Sequence, residues 1–424
     1  MSPIIIASII MGVTVVCFFH PKIPIVPVAF ASGFAFVLAG ILPASTMFNS
    51  FTSNTTMLLM GMMTIGGALF SSGLAGWIAK KIMGLPGTKK YQIQLAVLLT
   101  TFCIAPFLTG ITTLMIMYPI ICIIAFSTKT SMSDLIFYQM AGSMSGSVFT
   151  FTGGGMIPAT AAILEASGYR IWGFFEIAYW GIPSKILFFI LVYFLADRFI
   201  LKGYPFKEPD NVAAVAEPND LPEKFTLKMG VVAFILIAVI AGFIINNPTL
   251  TPAICAIMGA LACLFTGILT PKQMYVAINW DTIILIGGMT AFSQGIGLSG
   301  LSKLIAESIL RLTGMNSSPI LIIFIILIVS SLVSQFMSDT AASTLMAPIA
   351  ITLAVAQGVN VHAYVSAALF GSMLCHLTIL STPSFAFCQQ LGGYDNKFFL
   401  KYGLLLELPA NLIAAIIVIL IVYL

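Results

Sequence analysis

Charged residues are scarce in this chain of 424 residues: they make up 8% of it, whereas about a quarter of a typical soluble domain is charged. Hydrophobic residues make up 59% of the chain, and apolar runs recur from one end to the other. Because about 20 helical residues cross the ~30 Å hydrocarbon core of a bilayer, these runs exclude a water-soluble protein and predict an all-α polytopic membrane protein. The opening segment lacks a basic region and a small-residue cleavage site, so we expect it to be a retained first span.

Signatures of enzymes and of nucleic-acid binding are missing too. The chain has no P-loop, no H-E-x-x-H motif and no nucleophile elbow, which argues against an ATPase or hydrolase and predicts a protein that is not an enzyme and has no cofactor. Its net charge is +4, with no basic stripe, so no nucleic-acid partner is expected. The seven cysteines stand singly in apolar segments and are expected to be packing residues.

The chain contains one long polar stretch, residues 202–228, which predicts a solvated linker between two halves, 1–201 and 229–424. The halves resemble each other, since residues 56–82 match residues 282–309. Further matches place Pro119 on Pro348 and Gly142 on Gly371, both pairs being separated by 229 positions. This similarity predicts two structural repeats.

Each half is expected to contain a re-entrant hairpin followed by a broken helix. These segments are 91–127 and 135–165 in the first half, and 318–357 and 362–391 in the second. A re-entrant hairpin adds no crossing, which leaves five transmembrane segments per half. Because five is odd, the second repeat must be inverted relative to the first.

The distribution of basic residues predicts the orientation. With both termini outside the bacterial inner membrane, the linker lies in the cytoplasm with most of the 18 Lys and Arg residues. The exceptions are Arg170, Lys185, Lys303 and Arg311.

Four polar helix breaks mark the expected binding site: 107–113 and 338–344 at the hairpin tips, and 149–155 and 379–384 in the broken helices. Irregular backbone at membrane depth is tolerated where it lines a cavity, and half-helix N-termini there attract anions. One such cluster alone is more typical of close helix packing, but four at corresponding positions favour a site. The predicted substrate- and ion-binding residues are Thr109, Gly110, Thr112, Thr113, Thr152, Gly153, Gly154, Ser338, Asp339, Thr340, Ser381, Thr382 and Pro383.

Two ionisable residues fall within the apolar segments, Asp339 and His376, and they are candidates for a proton relay. The structural alternatives are that Asp339 caps a half-helix and that His376 is a neutral, hydrogen-bonded core residue. The remaining acidic candidates near span ends are expected at wet interfaces and are given no chemical role: Glu165, Glu176, Asp281, Glu307 and Glu407.

At these motifs the chain resembles the divalent anion/sodium symporter family of the ion transporter superfamily. The motifs are Ser338-Asp339-Thr340 in the second hairpin, Thr382-Pro383-Ser384 in the second broken helix, and Gly393-Tyr394 followed by Lys401-Tyr402-Gly403. The resemblance implies Na⁺ ligands at Ser338, Asp339, Thr340 and Thr382, and a homodimer. Asp339 stands where the family has Asn, and the first hairpin has no Asn.

The resulting hypothesis is a secondary active transporter of small organic anions, such as di- or tricarboxylates. It would be coupled to Na⁺ or H⁺ or work by exchange, with the hairpin-bearing domain moving as an elevator. The expected partners are the organic anion and membrane lipid. The alternative within transport is a cation/proton antiporter of the same superfamily. An intramembrane enzyme would have only Asp339 and His376 for its chemistry, and a passive channel would not need four broken elements.

Overall fold

The computed structural model describes residues 2–20, 23–83, 90–108, 110–128, 130–201, 224–245, 249–314, 317–379 and 381–419. Within these ranges the chain is helical, without β-strands. The described residues of the first half form α1 (Pro3–Phe19), α2 (Ile25–Leu38), α3 (Asn54–Ser71), α4 (Leu74–Met83), α5 (Lys90–Ile104), α6 (Gly110–Thr128), α7 (Met132–Gly146), α8 (Met156–Ala166) and α9 (Ala178–Leu195).

The second half repeats this order. Its described residues form α10 (Leu227–Ile245), α11 (Pro252–Phe265), α12 (Pro271–Ala277), α13 (Trp280–Leu298), α14 (Leu301–Thr313), α15 (Pro319–Ser334), α16 (Asp339–Gln357), α17 (Val361–Ser372), α18 (Pro383–Gly392), α19 (Asn396–Tyr402) and α20 (Leu408–Val418). Short 3₁₀ segments, Ala44–Thr52 and Ala105–Phe107, and π-helical turns, Ala196–Ile200 and Gly403–Glu407, complete the helical elements of the described residues.

Packing between the halves is reciprocal. Helix α2 packs on α13, and α3 packs on α11, so the second helix of each half contacts the third span of the other. The starts of these two spans are also alike: the side chain of Ser53 accepts a hydrogen bond from Thr56 N at the start of α3, and that of Asn279 accepts one from Thr282 N at the start of α13. This pattern agrees with two repeats, while their inverted orientation stays a prediction.

The lengths of the helices fit a membrane protein with interrupted spans. Four helical stretches of the described part are long and apolar enough to cross a bilayer: Ala178–Ile200, Leu227–Ile245, Asp339–Gln357 and Asn396–Val418. Helices α12 and α13, which meet at 55°, would make a fifth span together. Several other apolar helices are shorter, including α8, α11 and α15.

The outer surface of the bundle is apolar. Large hydrophobic side chains such as Val16, Phe234 and Leu332 are 60% or more exposed, which suits contact with lipid and not with water. The polar residues lie inside instead, where hydroxyl, amide and carboxylate groups surround the helix breaks.

Candidate functional site

The helix breaks of both halves enclose a cavity of about 140 Å³. Of the predicted site residues, those that line it are Gly110, Gly153, Gly154, Ser338, Asp339, Thr340, Ser381 and Thr382. Those that do not line it are Thr112, Thr113 and Thr152. Pro383 begins α18 next to the cavity, and Thr109 lies outside the described residues.

Five helices begin at this cavity. Helix α6 starts at Gly110, α8 at Met156 and α16 at Asp339, while Thr382 and Asn279 are the N-cap residues of α18 and α13. Each helix start carries N–H groups without intrahelical partners and the positive end of the helix dipole. The cavity is therefore electropositive at its backbone, as an anion site requires.

Glycine lets the first broken helix fold tightly beside the cavity. A Cβ on Gly153 would lie 2.3 Å from the carbonyl oxygen of Ser147, closer than atoms can approach. At Gly155 a Cβ would find ordinary contacts at 3.7 Å with Thr282 and Thr340. The glycine run thus brings the first break against the second hairpin tip and against α13.

The second break, of which residues 373–379 and 381–382 are described, is held by side chains that replace the lost helical hydrogen bonds. Gln335 donates to the carbonyl of Cys375 and accepts from the N–H of Leu377, both at 2.8 Å. The Asn411 amide donates to the two preceding carbonyls, at 3.0 Å each. Backbone groups away from water are costly when unpaired, so these two side chains help to stabilise the unwound segment.

Asp339 is buried at the tip of the second hairpin, with 5% of its surface exposed. Ser338 caps α16 by accepting a hydrogen bond from Ala341 N, so the interpretation of Asp339 as the helix cap is wrong. The N–H of Asp339 donates to the carbonyl of Ser381 at 3.1 Å, which joins hairpin and break. Its Oδ2 lies 3.2 Å from His376 Nε2, whereas its Oδ1 has no hydrogen-bond partner among the described residues.

His376 lies between two carboxylates. Its Nδ1 is 2.8 Å from Glu407 Oε2, which also accepts from the His376 backbone N–H at 2.8 Å. Glu407 is 1% exposed, so the expected wet interfacial position is wrong for this residue. The sequence contained a signal for it, because Glu407 stands inside the last apolar run and only four residues after Gly403.

Sequence reasoning also missed several lining residues, notably Asn279 and Thr282, while Ser384 was predicted only as part of the break 379–384. The match between Thr56 and Thr282 pointed to the start of α13, but nothing in a single sequence indicated that this helix would begin at the site. The remaining lining residues are Ile111, Met144, Ser147, Gly155 and Met156.

Two of the other acidic residues have structural partners near the helix ends. Glu165 accepts four hydrogen bonds from the backbone and side chains of Asn54 and Thr55, and so caps α3. Glu176 pairs with Arg170 at 2.7 Å. Burial alone would raise the pKa of Glu176, but hydrogen bonds from Arg170 and from the Gly173 N–H hold it below its usual value. Neither residue lines the cavity.

Comparison with solved structures and curated proteins identifies relatives. The crystal structure of the YdaH transporter of Alcanivorax borkumensis, described as having an unusual topology, superposes with a TM-score of 0.63 at 14% sequence identity, covering 99% of this chain and 98% of that one. At this identity the likeness shows the fold alone.

Two curated relatives match about a third of the chain. The uncharacterized transporter YfbS of Escherichia coli is 27% identical over 159 residues, 38% of this chain and 25% of YfbS. The sodium-dependent dicarboxylate transporter SdcS of Staphylococcus aureus is 34% identical over 146 residues, 34% of this chain and 27% of SdcS. The aligned part is thus about a quarter of the length of each relative.

A family model described as citrate transporter matches residues 6–371, most of the chain. This match confirms the transporter class that the hairpin and broken-helix motifs predicted, and with it a function that is not enzymatic. The chain belongs to the citrate transporter family and is a multi-pass integral membrane protein.

Proposed function

We propose that this chain is a secondary active transporter of small organic anions, most simply di- or tricarboxylates, driven by Na⁺ or H⁺ or working by exchange. The observation that carries the proposal is the meeting of five helix N-termini and one incompletely paired carboxylate at a single cavity. The helix N-termini would bind an anion and the carboxylate would bind a cation, as a carrier of both ions requires.

The anion would be held by backbone dipoles. Among the described residues that line the cavity there is no Lys or Arg, so the helix starts are the local source of positive potential. Hydroxyl groups of Ser338, Thr340, Ser384 and Thr282 lie within the same lining and can donate to carboxylate oxygens. A site of this kind favours a compact anion with several oxygens.

The cation would be needed because Asp339 would otherwise repel that anion. Two unit charges of like sign at about 4 Å cost several kcal/mol at a protein dielectric, so a cation or proton must neutralise Asp339 before a carboxylate binds. Asp339, Ser338, Thr340 and Thr382 line the same cavity and together carry the oxygen ligands that Na⁺ would need, including the unpartnered Oδ1 of Asp339. SdcS, which matches a third of this chain, is described as sodium-dependent, and this favours Na⁺ over H⁺ as the coupling ion.

The proton is the competing coupling ion. Both ring nitrogens of His376 face carboxylate oxygens, and a neutral imidazole can donate from only one nitrogen. Two hydrogen bonds from His376 to ionised carboxylates would need a proton on each ring nitrogen, and a second bond to a neutral His376 would need a protonated carboxylate. Either way the cluster binds one more proton than a neutral His376 with two ionised carboxylates. The same geometry supports the alternative function, a cation/proton antiporter.

Transport would proceed by movement of the hairpins and broken helices against the remaining spans. Amphipathic α4 and α14 precede the two hairpins and would act as arms between the moving and static parts. The two halves, 1–201 and 229–424 with the linker 202–228 in the cytoplasm, would be inverted repeats, and two copies would form the homodimer in the inner membrane, with the termini of each outside.

The test is uptake by proteoliposomes containing the purified chain. Labelled citrate and succinate are offered with an inward Na⁺ gradient, with a pH gradient, with both and with neither, and with unlabelled carboxylate inside. We expect concentrative uptake of at least one carboxylate with one cation gradient, or accelerated exchange, and none in liposomes carrying Asp339→Ala. Collapse of a pH gradient by added Na⁺ without carboxylate uptake would instead establish the antiporter.

A further inference from the structure

The last span of each half carries one buried charged residue, a lysine in the first half and a glutamate in the second. Lys185 on α9 is 4% exposed, and Glu407, at the end of the π-helical turn before α20, is 1% exposed. A charged side chain inside a membrane protein is costly unless it is paired or functional. Neither residue lines the cavity, so substrate contact does not account for them.

The two charges occupy equivalent positions in the repeats. Gly181 and Gly403 each pack against the unwound backbone after the first part of the broken helix of their own half. An added Cβ would lie 2.5 Å from Val148 O at Gly181 and 2.6 Å from His376 O at Gly403. Lys185 and Glu407 each follow their glycine by four residues, one helical turn. The repeat therefore places one cation and one anion at matching sites beside the two breaks.

The matching sites meet between the two last helices, which pack on each other. The ammonium of Lys185 donates to Asn411 Oδ1 at 3.1 Å. Asn411 lies four residues beyond Glu407, one helical turn, so Lys185 is near Glu407 through Asn411 and not through a direct ion pair. The indole of Trp180 donates to Asn411 O at 3.3 Å, a further contact between these helices.

From Glu407 a chain of contacts leads to the cavity. One oxygen of Glu407 accepts both the backbone and the ring hydrogen bond of His376, which fixes the orientation of the imidazole. The other ring nitrogen then contacts Asp339 Oδ2, while Oδ1 of this cavity-lining residue has no hydrogen-bond partner among the described residues. π-Helical turns are frequent at functional sites, and the turn Gly403–Glu407 is what directs this carboxylate toward the break.

We propose that Glu407 is a positioning residue for the ion site, holding His376 so that Asp339 presents one oxygen to the transported cation, and that Lys185 is the counter-charge that makes the buried Glu407 tolerable. This inference rests on the proposed function for its transport consequence. The pairing of Lys185 with Glu407 is independent of that function and is tested separately.

The pairing is tested by a double-mutant cycle on thermal unfolding of the purified protein. Lys185→Met removes a positive charge near the buried carboxylate of Glu407, and Glu407→Gln removes the negative charge near Lys185, so we expect each to lower the unfolding midpoint by about 5 °C or more. The double variant removes both charges and should recover at least half of the loss. Additive losses in the double variant would refute the pairing.

The positioning role is tested in the double variant, which retains the fold if the pairing is right. Gln in place of Glu407 keeps an oxygen acceptor but loses the charge, which weakens the hydrogen bonds that orient His376. We therefore expect the half-saturating concentration of the driving cation to rise about tenfold or more, equivalent to losing about 1.4 kcal/mol. The carboxylate concentration for half-maximal uptake, measured at saturating cation, should change less. A purely structural role would not produce this split.

The matched control is Glu165→Gln, which removes a capping carboxylate remote from the cavity and should lower stability without changing cation affinity. A folded double variant with wild-type cation affinity would overturn the positioning role. Should the wild-type chain take up no carboxylate under any gradient, the proposed function fails, and the unfolding cycle still decides whether Lys185 and Glu407 compensate each other.

Discussion

At the scale of single residues, Asp339 is the side chain on which the coupling mechanism depends. It is buried and lines the cavity, one of its carboxylate oxygens contacts His376, and the other has no hydrogen-bond partner among the described residues. Because Ser338 caps the helix, substitution of Asp339 does not remove the cap. The variants below therefore report on ion binding and not on helix formation.

Asp339→Asn should separate the two coupling ions. Asn keeps the shape and one oxygen ligand but cannot take up a proton, so Na⁺-driven uptake should persist, whereas proton-driven uptake should be lost. Asp339→Ala removes the ligand and should abolish accumulation with either gradient, a loss of at least about tenfold. Uptake into proteoliposomes with separate Na⁺ and pH gradients measures both, with size-exclusion profiles to check folding. Wild-type accumulation by Asp339→Ala would mean that the carboxylate has no coupling role.

At the scale of elements, the helix breaks owe their shape to residues that permit close backbone approach. In the first break Gly153 does this, and in the second Gln335 and Asn411 pair with the backbone groups that the unwinding leaves exposed. Both breaks line the same cavity, but different kinds of residue stabilise them, which explains why their sequences look unlike each other.

Gly153→Ala should destroy the first break. The added methyl would lie 2.3 Å from the Ser147 carbonyl, so the backbone must shift, at a cost of about 1–3 kcal/mol. We expect a lower unfolding midpoint and no measurable uptake. Gly155→Ala is the matched control, because its methyl meets only contacts at 3.7 Å, and it should keep the wild-type midpoint. Equal stability of the two variants would contradict this account of the break.

The two hairpin tips differ in the oxygen ligands they offer. The second tip presents Ser338, Asp339 and Thr340, whereas the described residues of the first tip that line the cavity are Gly110 and Ile111. If Na⁺ drives transport, we expect a single site and a Hill coefficient near one for Na⁺ activation of uptake. Clear cooperativity would mean that the first tip binds a second ion through its backbone.

At the scale of the whole molecule, the order of elements was predictable from the sequence, but the partners inside the core were not. Apolar runs and repeated motifs predicted the helices that flank the four breaks, and half of the described residues that line the cavity were among the predicted site residues. That the hairpins are re-entrant stays a prediction. Glu407 and Lys185 escaped because the residues they contact, His376 and Asn411, lie more than 30 positions away in the sequence and are brought close only by packing. Asn279 escaped because the sequence does not show that α13 begins at the cavity. A charge near a span end looks interfacial until the depth of the helix is known.

The orientation of the molecule in the membrane is the remaining prediction, and it follows from charge. Most Lys and Arg residues fall on the side of the linker when both termini are outside. Cysteines introduced at Asn211 or Asn219, in a variant without native cysteines, should therefore resist an impermeant thiol reagent in intact cells and react after permeabilisation. Ser318→Cys, at an exposed position before α15, should react from outside in intact cells. The opposite labelling pattern would mean that the orientation is the reverse of the predicted one. The hairpin that carries Asp339 would then enter the membrane from the cytoplasm instead of from outside.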